Sequence, residues 1–321
     1  MAKEKTNIPI RVGVSSCLLG QQVRFDGGHK RDRYLTDILA DYFQFVQVCP
    51  EVEVGMGVPR ESVRLMGEPE KPSMIGNKTG QDWTGRMLAY ARKRTKEISR
   101  EFLSGFIFKK DSPSCGMERV KIYSNKGMAV RKARGMWGRA VLEMNPLLPV
   151  EEEGRLNDLP LRDNFVVRVF AYNRLLNLFH GTYSRGELVR FHSEHKYLLL
   201  SHSPNHYKLL GKLVADIKNY TPAQMRDQYR KHFMEALMLR ATVKKNVNVL
   251  QHIMGYLKKH LDAKEKADIM RVITDYHQEL VPLIVPLTLV RHYIDKFEIE
   301  YIQNQYYIQP HPKELMLRNH V

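Results

Sequence analysis

Only three cysteines occur in the 321 residues, and lysine and arginine outnumber acidic side chains 51 to 35. No apolar run approaches the roughly 18 residues needed to span a bilayer. An odd, sparse set of thiols excludes a disulfide framework and leaves metal binding, catalysis or plain burial. Without a spanning run a membrane protein is not expected, and the opening MAKEKTNIPIRVGV lacks the apolar core of a signal peptide, so a cytoplasmic protein is expected. The acidic deficit leaves a formal charge of +16, which favours polyanionic partners. Both halves share it, with 26 basic against 16 acidic residues in 1–150 and 25 against 19 in 151–321. The absence of internal repeats and low-complexity tracts excludes a solenoid or a disordered linker protein.

The hydrophobic content of 43% supports two cores in a chain of this length. Residues 8–14 read as a buried strand, 30–42 as a helix and 43–48 as a second strand. A Gly/Pro-rich stretch covers 55–80. A helix at about 84–102 then turns Met87, Ala91, Ile98 and Phe102 inward, with Arg86, Arg92, Lys93, Arg94, Lys96 and Arg100 on a solvated face. Strands at 105–108 and 120–123 follow. Strands alternating with helices imply an α/β domain with a mainly parallel, Rossmann-like sheet. Prolines, an acidic run and turn residues in 145–164 break the pattern, which places the domains at 1–150 and 151–321. Beyond the break the reading is an all-α bundle, with helices at 165–179, 186–200, 204–219, 222–239, 242–260 and 263–280 and a segment after Pro286.

Each cysteine closes an apolar run inside a Gly/Pro/Ser segment: VGVSSCLLG at Cys17, FVQVCPEVEVG at Cys49 and FIFKKDSPSCG at Cys115. In an open α/β sheet, ligands gather at the carboxyl ends of the strands, so thiols separated by 32 and 66 residues can converge there. Soft thiolates select zinc, copper(I) or an iron–sulfur cluster. The spacing lacks the local CxxC geometry that makes such sites specific, and buried inert thiols remain the competing reading.

The segments SSCLLGQQVRFDGGHKRD, VCPEVEVGMGVPR and KKDSPSCGMERVKIY occur in the order found in the thiouracil desulfidase (TudS-like) family, which residues 11–145 resemble. The resemblance implies a 4Fe–4S cluster held by Cys17, Cys49 and Cys115, with one open iron to take the substrate's sulfur. It implies a catalytic glutamate at Glu51, two residues beyond a cluster ligand, as the base for the attacking water. It also implies a partner hydroxyl beside the third ligand, at Ser112 or Ser114, with Ser112 preferred. Lys109, Lys110 and Asp111 shape the pocket or its charge. Ser112 and Ser114 also suit a plain turn, Asp26, Gly27 and Gly28 a chain reversal, and Glu53 a solvated or sheet-edge position. His29, Lys30, Arg31 and Arg33 open a helix or meet phosphate.

In the helical half, FHSEHKYLLLSHSPNHY gathers His192, His195, His202 and His206. Without HExxH spacing, such histidines more often cap helices or meet solvent or phosphate than bind metal. The segment LRATVKKNVNVLQHIMGYLKKHL is amphipathic, with Val243, Val247, Leu250 and Met254 inward and a polar face that includes Lys244, Lys245, Asn248, Gln251, His252, Lys258 and Lys259. Such a face suits phosphates or solvent. With the terminal PHPKELMLRNHV these segments resemble the YbgA-like domain over residues 160–321. The fused pair resembles RNA desulfidases that convert 4-thiouridine in tRNA to uridine with release of sulfide, which implies tRNA as partner and the helical half as its platform. Two competing expectations are hydrolytic desulfidation of free thiouracil or thiolated nucleosides, and a non-catalytic RNA-binding or iron–sulfur sensor module.

Overall fold

The computed structural model describes residues 7–124 and 126–320. The chain forms two compact units that divide between Asp158 and Leu159.

The first unit is built on four parallel strands, β1 (Arg11–Ser15), β2 (Gln44–Val48), β5 (Leu103–Phe108) and β8 (Val150–Glu152), in the order β2-β1-β5-β8. All six residues of β5 are buried, as expected of a strand covered on both faces. Gly13 of β1 lies opposite Phe106, and a Cβ there would stand 2.2 Å from the phenyl ring. Phe106 in turn stacks on Phe108 at 4.3 Å between ring centroids. The chain passes from β1 to β2 on one side and later to β5 on the other, so the sheet reverses its order at β1. Such a switch point opens a crevice at the carboxyl ends of the strands.

A second sheet, absent from the sequence reading, fills the 55–80 stretch and its partners. The strands β3 (Val63–Glu68) and β4 (Lys71–Gly76) form a hairpin, β6 (Val120–Tyr123) runs parallel to β3, and β7 (Ala129–Ala133) is antiparallel to β6. The 120–123 strand thus belongs to this mixed sheet and not to the parallel one. Its core of Leu65, Met74, Met87, Val120 and Ile122 is separate from the parallel strands. The helix expected at 30–42 is only a π-turn (Tyr34–Ile38) followed by a 3-10 turn (Leu39–Asp41). Three α-helices complete the unit: α1 (Pro50–Glu53), α2 (Thr84–Arg100) and α3 (Met136–Met144). Helix α2 buries Met87, Ala91, Thr95 and Ile98, but it ends before Phe102, which is exposed in a left-handed conformation.

The second unit is helical: α4 (Leu159–Phe179), α5 (Arg185–His202), α6 (Pro204–Ala215), α7 (Pro222–Met238), α8 (Val243–Leu257), α9 (Ala263–His277), α10 (Ile284–Lys296) and a single turn, α11 (Glu300–Gln303). Their starts follow from sequence chemistry. Ser184, Thr221 and Asp262 each accept the N3 backbone N–H while Glu187, Gln224 and Glu265 reach back to the cap, and Pro204 and Pro222 occupy first helical positions. On α8 the buried stripe is Asn246, Val249, Leu250, Ile253, Met254 and Leu257, whereas Val243 and Val247 are only half-buried. Asn246 is admitted to the core because Tyr276 and Tyr307 satisfy it: its Nδ2 donates to the Tyr276 hydroxyl at 3.0 Å and its Oδ1 accepts from Tyr307 at 3.1 Å.

Candidate functional site

Three loops leave the carboxyl ends of β1, β2 and β5, and each carries one cysteine. After β1 the chain makes a 3-10 turn (Ser16–Leu19) that holds Cys17, and Gly20 ends it in the left-handed region at φ 92°. The Lys30 N–H returns to the Cys17 carbonyl at 2.9 Å, so the intervening loop folds back over the thiol. The Asp26–Gly28 segment makes that reversal: the Gly28 N–H donates to Asp26 Oδ1 at 3.0 Å.

Cys49 directly follows β2 and caps α1, with its own N–H donating to Glu53 Oε1 at 2.9 Å. The other oxygen of Glu53 accepts from the Tyr90 hydroxyl at 2.9 Å, so this carboxylate braces the second cysteine loop and is not a free solvated group. Glu51 stands on the same turn. Its Oε2 accepts from Arg60 Nη2 at 2.6 Å and Nε at 3.1 Å, and its Oε1 accepts from Ser114 Oγ at 2.7 Å. Arg60, with 6% of its side chain exposed, also donates to the carbonyls of Val23 and Gly57.

The third loop is pinned from two sides. The Oγ of Ser112 accepts the backbone N–H groups of Ser114 at 3.2 Å and Cys115 at 3.0 Å. The start of α3 packs against the same loop, with the Trp137 and Gly138 N–H groups donating to the Ser114 carbonyl. A Cβ on Gly138 would stand 2.7 Å from the Cys115 carbonyl oxygen, so the close approach requires glycine.

The three cysteines line one cavity of about 310 Å³ together with Glu51, Arg60, Ser112 and Lys109. This is at the small end of the ~300–1,000 Å³ range of ligand pockets. Ser114 is 1% exposed and lies behind the wall, touching Glu51. Lys109 is tied to Glu153 at 2.5 Å. Lys110 and Asp111 also face the cavity, and Asp111 pairs with Arg131.

Burial pushes all three thiols up. The Cys17 thiol rises to about 11, through burial and then the neighbouring Cys49, and Cys115 rises well above the ordinary thiol range through burial opposed by the Ser15 hydroxyl. Thiols in this environment are inert unless a cation takes their protons' place. Their spacing decides what kind of centre they fit. Tetrahedral zinc with bonds of about 2.3 Å brings its sulfurs to roughly 3.8 Å from one another. Among the described residues, the three sulfurs do not all fall within 4.8 Å of one another. At least one pair of sulfurs thus stands wider than a single tetrahedral ion holds its ligands, a spread that suits a cluster with its ligands on separate iron corners, and the chain has no fourth thiol to close the last one.

The clustered histidines do not converge. His192 Nδ1 meets the Tyr229 hydroxyl, His195 Nδ1 the Phe191 carbonyl, His202 Nδ1 the Leu239 carbonyl and His206 Nδ1 the Ser203 hydroxyl. A second cavity, of about 300 Å³, lies inside the helical unit. Ser201 and His202, Asn246, and Arg318 and His320 line it, so residues from all three segments singled out in this half meet there. Of the polar face read from the sequence, Lys244, Asn248, Gln251 and His252 on α8 and Lys258 and Lys259 just past its end are exposed as expected, whereas Lys245 is half-buried and its Nζ donates to the carbonyls of His202 and Arg240. Sequence reasoning missed Arg60, although it closes the GMGVPR segment beside the second cysteine.

Residues 12–153 match the family model described as 2-thiouracil desulfurase, and residues 196–312 match a model described as a protein of unknown function, DUF1722. The chain is 31% identical to the uncharacterized protein YbgA of Escherichia coli (strain K12) over 49% of its own length and 94% of the relative's. It is 29% identical to the uncharacterized protein YbbK of Bacillus subtilis (strain 168), over 46% of its length and 97% of that protein's. A solved [4Fe-4S]-dependent thiouracil desulfidase, TudS, is 27% identical, covering 48% of this chain and 97% of that one at a TM-score of 0.39.

Proposed function

Because this chain belongs to the YbgA family through its helical half and carries a 2-thiouracil desulfurase domain at residues 12–153, we propose that it removes sulfur from 4-thiouridine in tRNA, leaving uridine and sulfide. The observation that carries the chemistry is the meeting of Cys17, Cys49, Cys115, Glu51 and Ser112 around one cavity at the carboxyl ends of a parallel sheet.

The reaction is a hydrolysis: the water's oxygen replaces sulfur on the ring carbon, and its two protons leave with the sulfide. When bound to the three thiolates, a 4Fe–4S cluster supplies a thiophilic iron without a protein ligand, which polarises the C=S bond and stabilises the departing sulfur. Glu51 takes the proton from the attacking water. Arg60 fills both lone-pair sites of Oε2, whereas Oε1 accepts only from Ser114 and keeps a second lone pair, so the carboxylate is both oriented and able to accept through Oε1. Ser112, on the cavity wall, orients the base or passes a proton to the ring nitrogen. Ser114, behind the wall, steadies Glu51.

The RNA assignment rests on the excess of positive charge in both halves and on the size of the substrate. A base inside folded tRNA must leave its stack at a cost of a few kcal/mol, which phosphate contacts offset. The helical unit supplies an exposed basic surface that includes Lys244, Lys258 and Lys259. A second reading, turnover of free thiouracil, is favoured by the substrate for which the matched family is named.

The test is sulfide release by anaerobically reconstituted protein from 4-thiouridine-containing tRNA and from free 2-thiouracil, beside Cys115→Ala. Turnover of tRNA by the wild type alone supports the proposal, and tRNA affinity should then fall steeply with salt. Turnover of the free base alone moves the assignment to the small molecule. Silence on both, with tRNA still bound, makes the chain a binding module.

A further inference from the structure

The helical unit contains a second group of metal-ligating side chains, unrelated to the cysteines. We propose that His206, His232 and Glu235 form a binding site for a divalent transition-metal ion of the zinc type, joining the first turn of α6 to α7. The proposal does not depend on the desulfidase reading.

His232 and Glu235 are three residues apart, which puts them on one face of α7. The Nδ1 of His232 lies 3.0 Å from Glu235 Oε2. His206 faces the same oxygen from α6, with its Nε2 at 3.9 Å. All three residues can place one ligand atom within 4.8 Å of the other two, the one such group among the described residues. Zinc bonds of about 2.0–2.2 Å to nitrogen and oxygen set ligand atoms roughly 3.4 Å apart in a tetrahedron, so small side-chain rotations close the group around an ion.

The ring of His206 is already oriented for this. Its Nδ1 is 2.8 Å from the hydroxyl of Ser203, the cap of α6, which also accepts the His206 backbone N–H. That contact commits one ring nitrogen and turns the other toward Glu235, the outer-shell arrangement that fixes a ligating imidazole. The side chains are 25%, 27% and 35% exposed, sheltered but open to entry from solvent. Two imidazoles and one carboxylate suit zinc and its neighbours and leave a further coordination position for water. The donor set has no sulfur, which distinguishes it from the cavity of the first unit.

The test uses full-length protein freed of metal, with His206→Ala, His232→Ala and Glu235→Gln beside the wild type, all checked for native circular dichroism. Zn²⁺ is titrated against a chromophoric chelator, and Co²⁺ is followed by absorbance. The cysteines contribute equally to all four proteins, so the wild type should bind one Zn²⁺ more than either histidine variant. Glu235→Gln, which preserves shape, should weaken that ion at least tenfold. The additional Co²⁺ should show ligand-field bands without the near-ultraviolet charge transfer of a thiolate ligand. Equal Zn²⁺ stoichiometry and affinity in the wild type and His232→Ala would overturn the site, as would an additional Co²⁺ that shows thiolate charge transfer.

Discussion

Arg60→Met tests how the base is held. In the folded protein this guanidinium makes two bonds to Glu51 Oε2 and one each to the carbonyls of Val23 and Gly57. The side chains of Arg60 and Glu51 are 6% and 15% exposed, so the pair is largely out of water. Methionine fills most of the volume but leaves Glu51 with only Ser114, and two carbonyls without their donor. Breaking a buried pair by removing one partner costs about 3–5 kcal/mol, and the residual access of water to Glu51 puts the expected loss near ~3 kcal/mol. Both tryptophans, Trp83 and Trp137, lie in the α/β unit, so tryptophan fluorescence in urea follows that unit alone. A base displaced by about 1 Å lowers turnover on the order of 10²-fold, with cluster content unchanged because no thiol is touched. Arg60→Lys, which restores charge without the planar fork, should recover stability more than turnover. Arg60→Met with stability within about 0.5 kcal/mol of wild type and unaltered turnover would refute this account of Glu51.

Ser112→Ala should lower sulfide release on the order of 10²-fold, whereas Ser114→Ala should cost less because Arg60 still grips Glu51. Iron content and kcat measured together separate the two. Gly138→Ala forces a methyl group against the Cys115 and Gly116 carbonyls, so it should destabilise the α/β unit by about 1–3 kcal/mol and reduce iron per chain, read by fluorescence melts and iron analysis. The helical unit should be sensitive to acid. Burial lowers His192 and His202 to about 4. The unfolded chain takes up these protons near 6.5 and the folded one does not, so stability falls as pH drops from about 6.5 toward 4, by ~2 kcal/mol per histidine at pH 5. Urea unfolding followed by far-ultraviolet circular dichroism at pH 7 and pH 5 measures this, and equal midpoints would contradict it.

The strand-end cysteines were legible because a buried parallel strand is a short apolar run with an abrupt polar end, the form of β1 and β5, and because the edge strand β2, with only Val48 buried, still ends abruptly at Cys49 and Pro50. The helical half was legible as helix-length segments, two of them opening on Pro204 and Pro222, and the structure adds the capping boxes of Ser184, Thr221 and Asp262. The β3–β4 hairpin was not. Its prolines and glycines read as loop, and the core that rewards its pairing comes from Val120 and Ile122, some fifty residues further on. The helix reading at 30–42 failed for a related reason: the apolar spacing there is real, but the chain must also return its backbone to the Cys17 turn through Lys30 and Asp32, leaving room only for tight turns.

The same distinction governs the two sets of possible metal ligands. Cysteine is scarce, so three of them at strand ends stand out without knowledge of the fold. Histidine is common here, and the sequence gathers His192, His195, His202 and His206 in one run, drawing attention to the wrong set. Their side chains leave α5 and the start of α6 in different directions, and each finds its own hydroxyl or carbonyl. What brings His206 to His232 and Glu235 is the packing of α6 on α7, a contact between residues 26 and 29 positions apart that no local spacing encodes. A ligand set built along one helix or one loop can be read from a sequence. One built across two packed helices appears only once the crossing is known, and its test must therefore be a measurement on the folded chain.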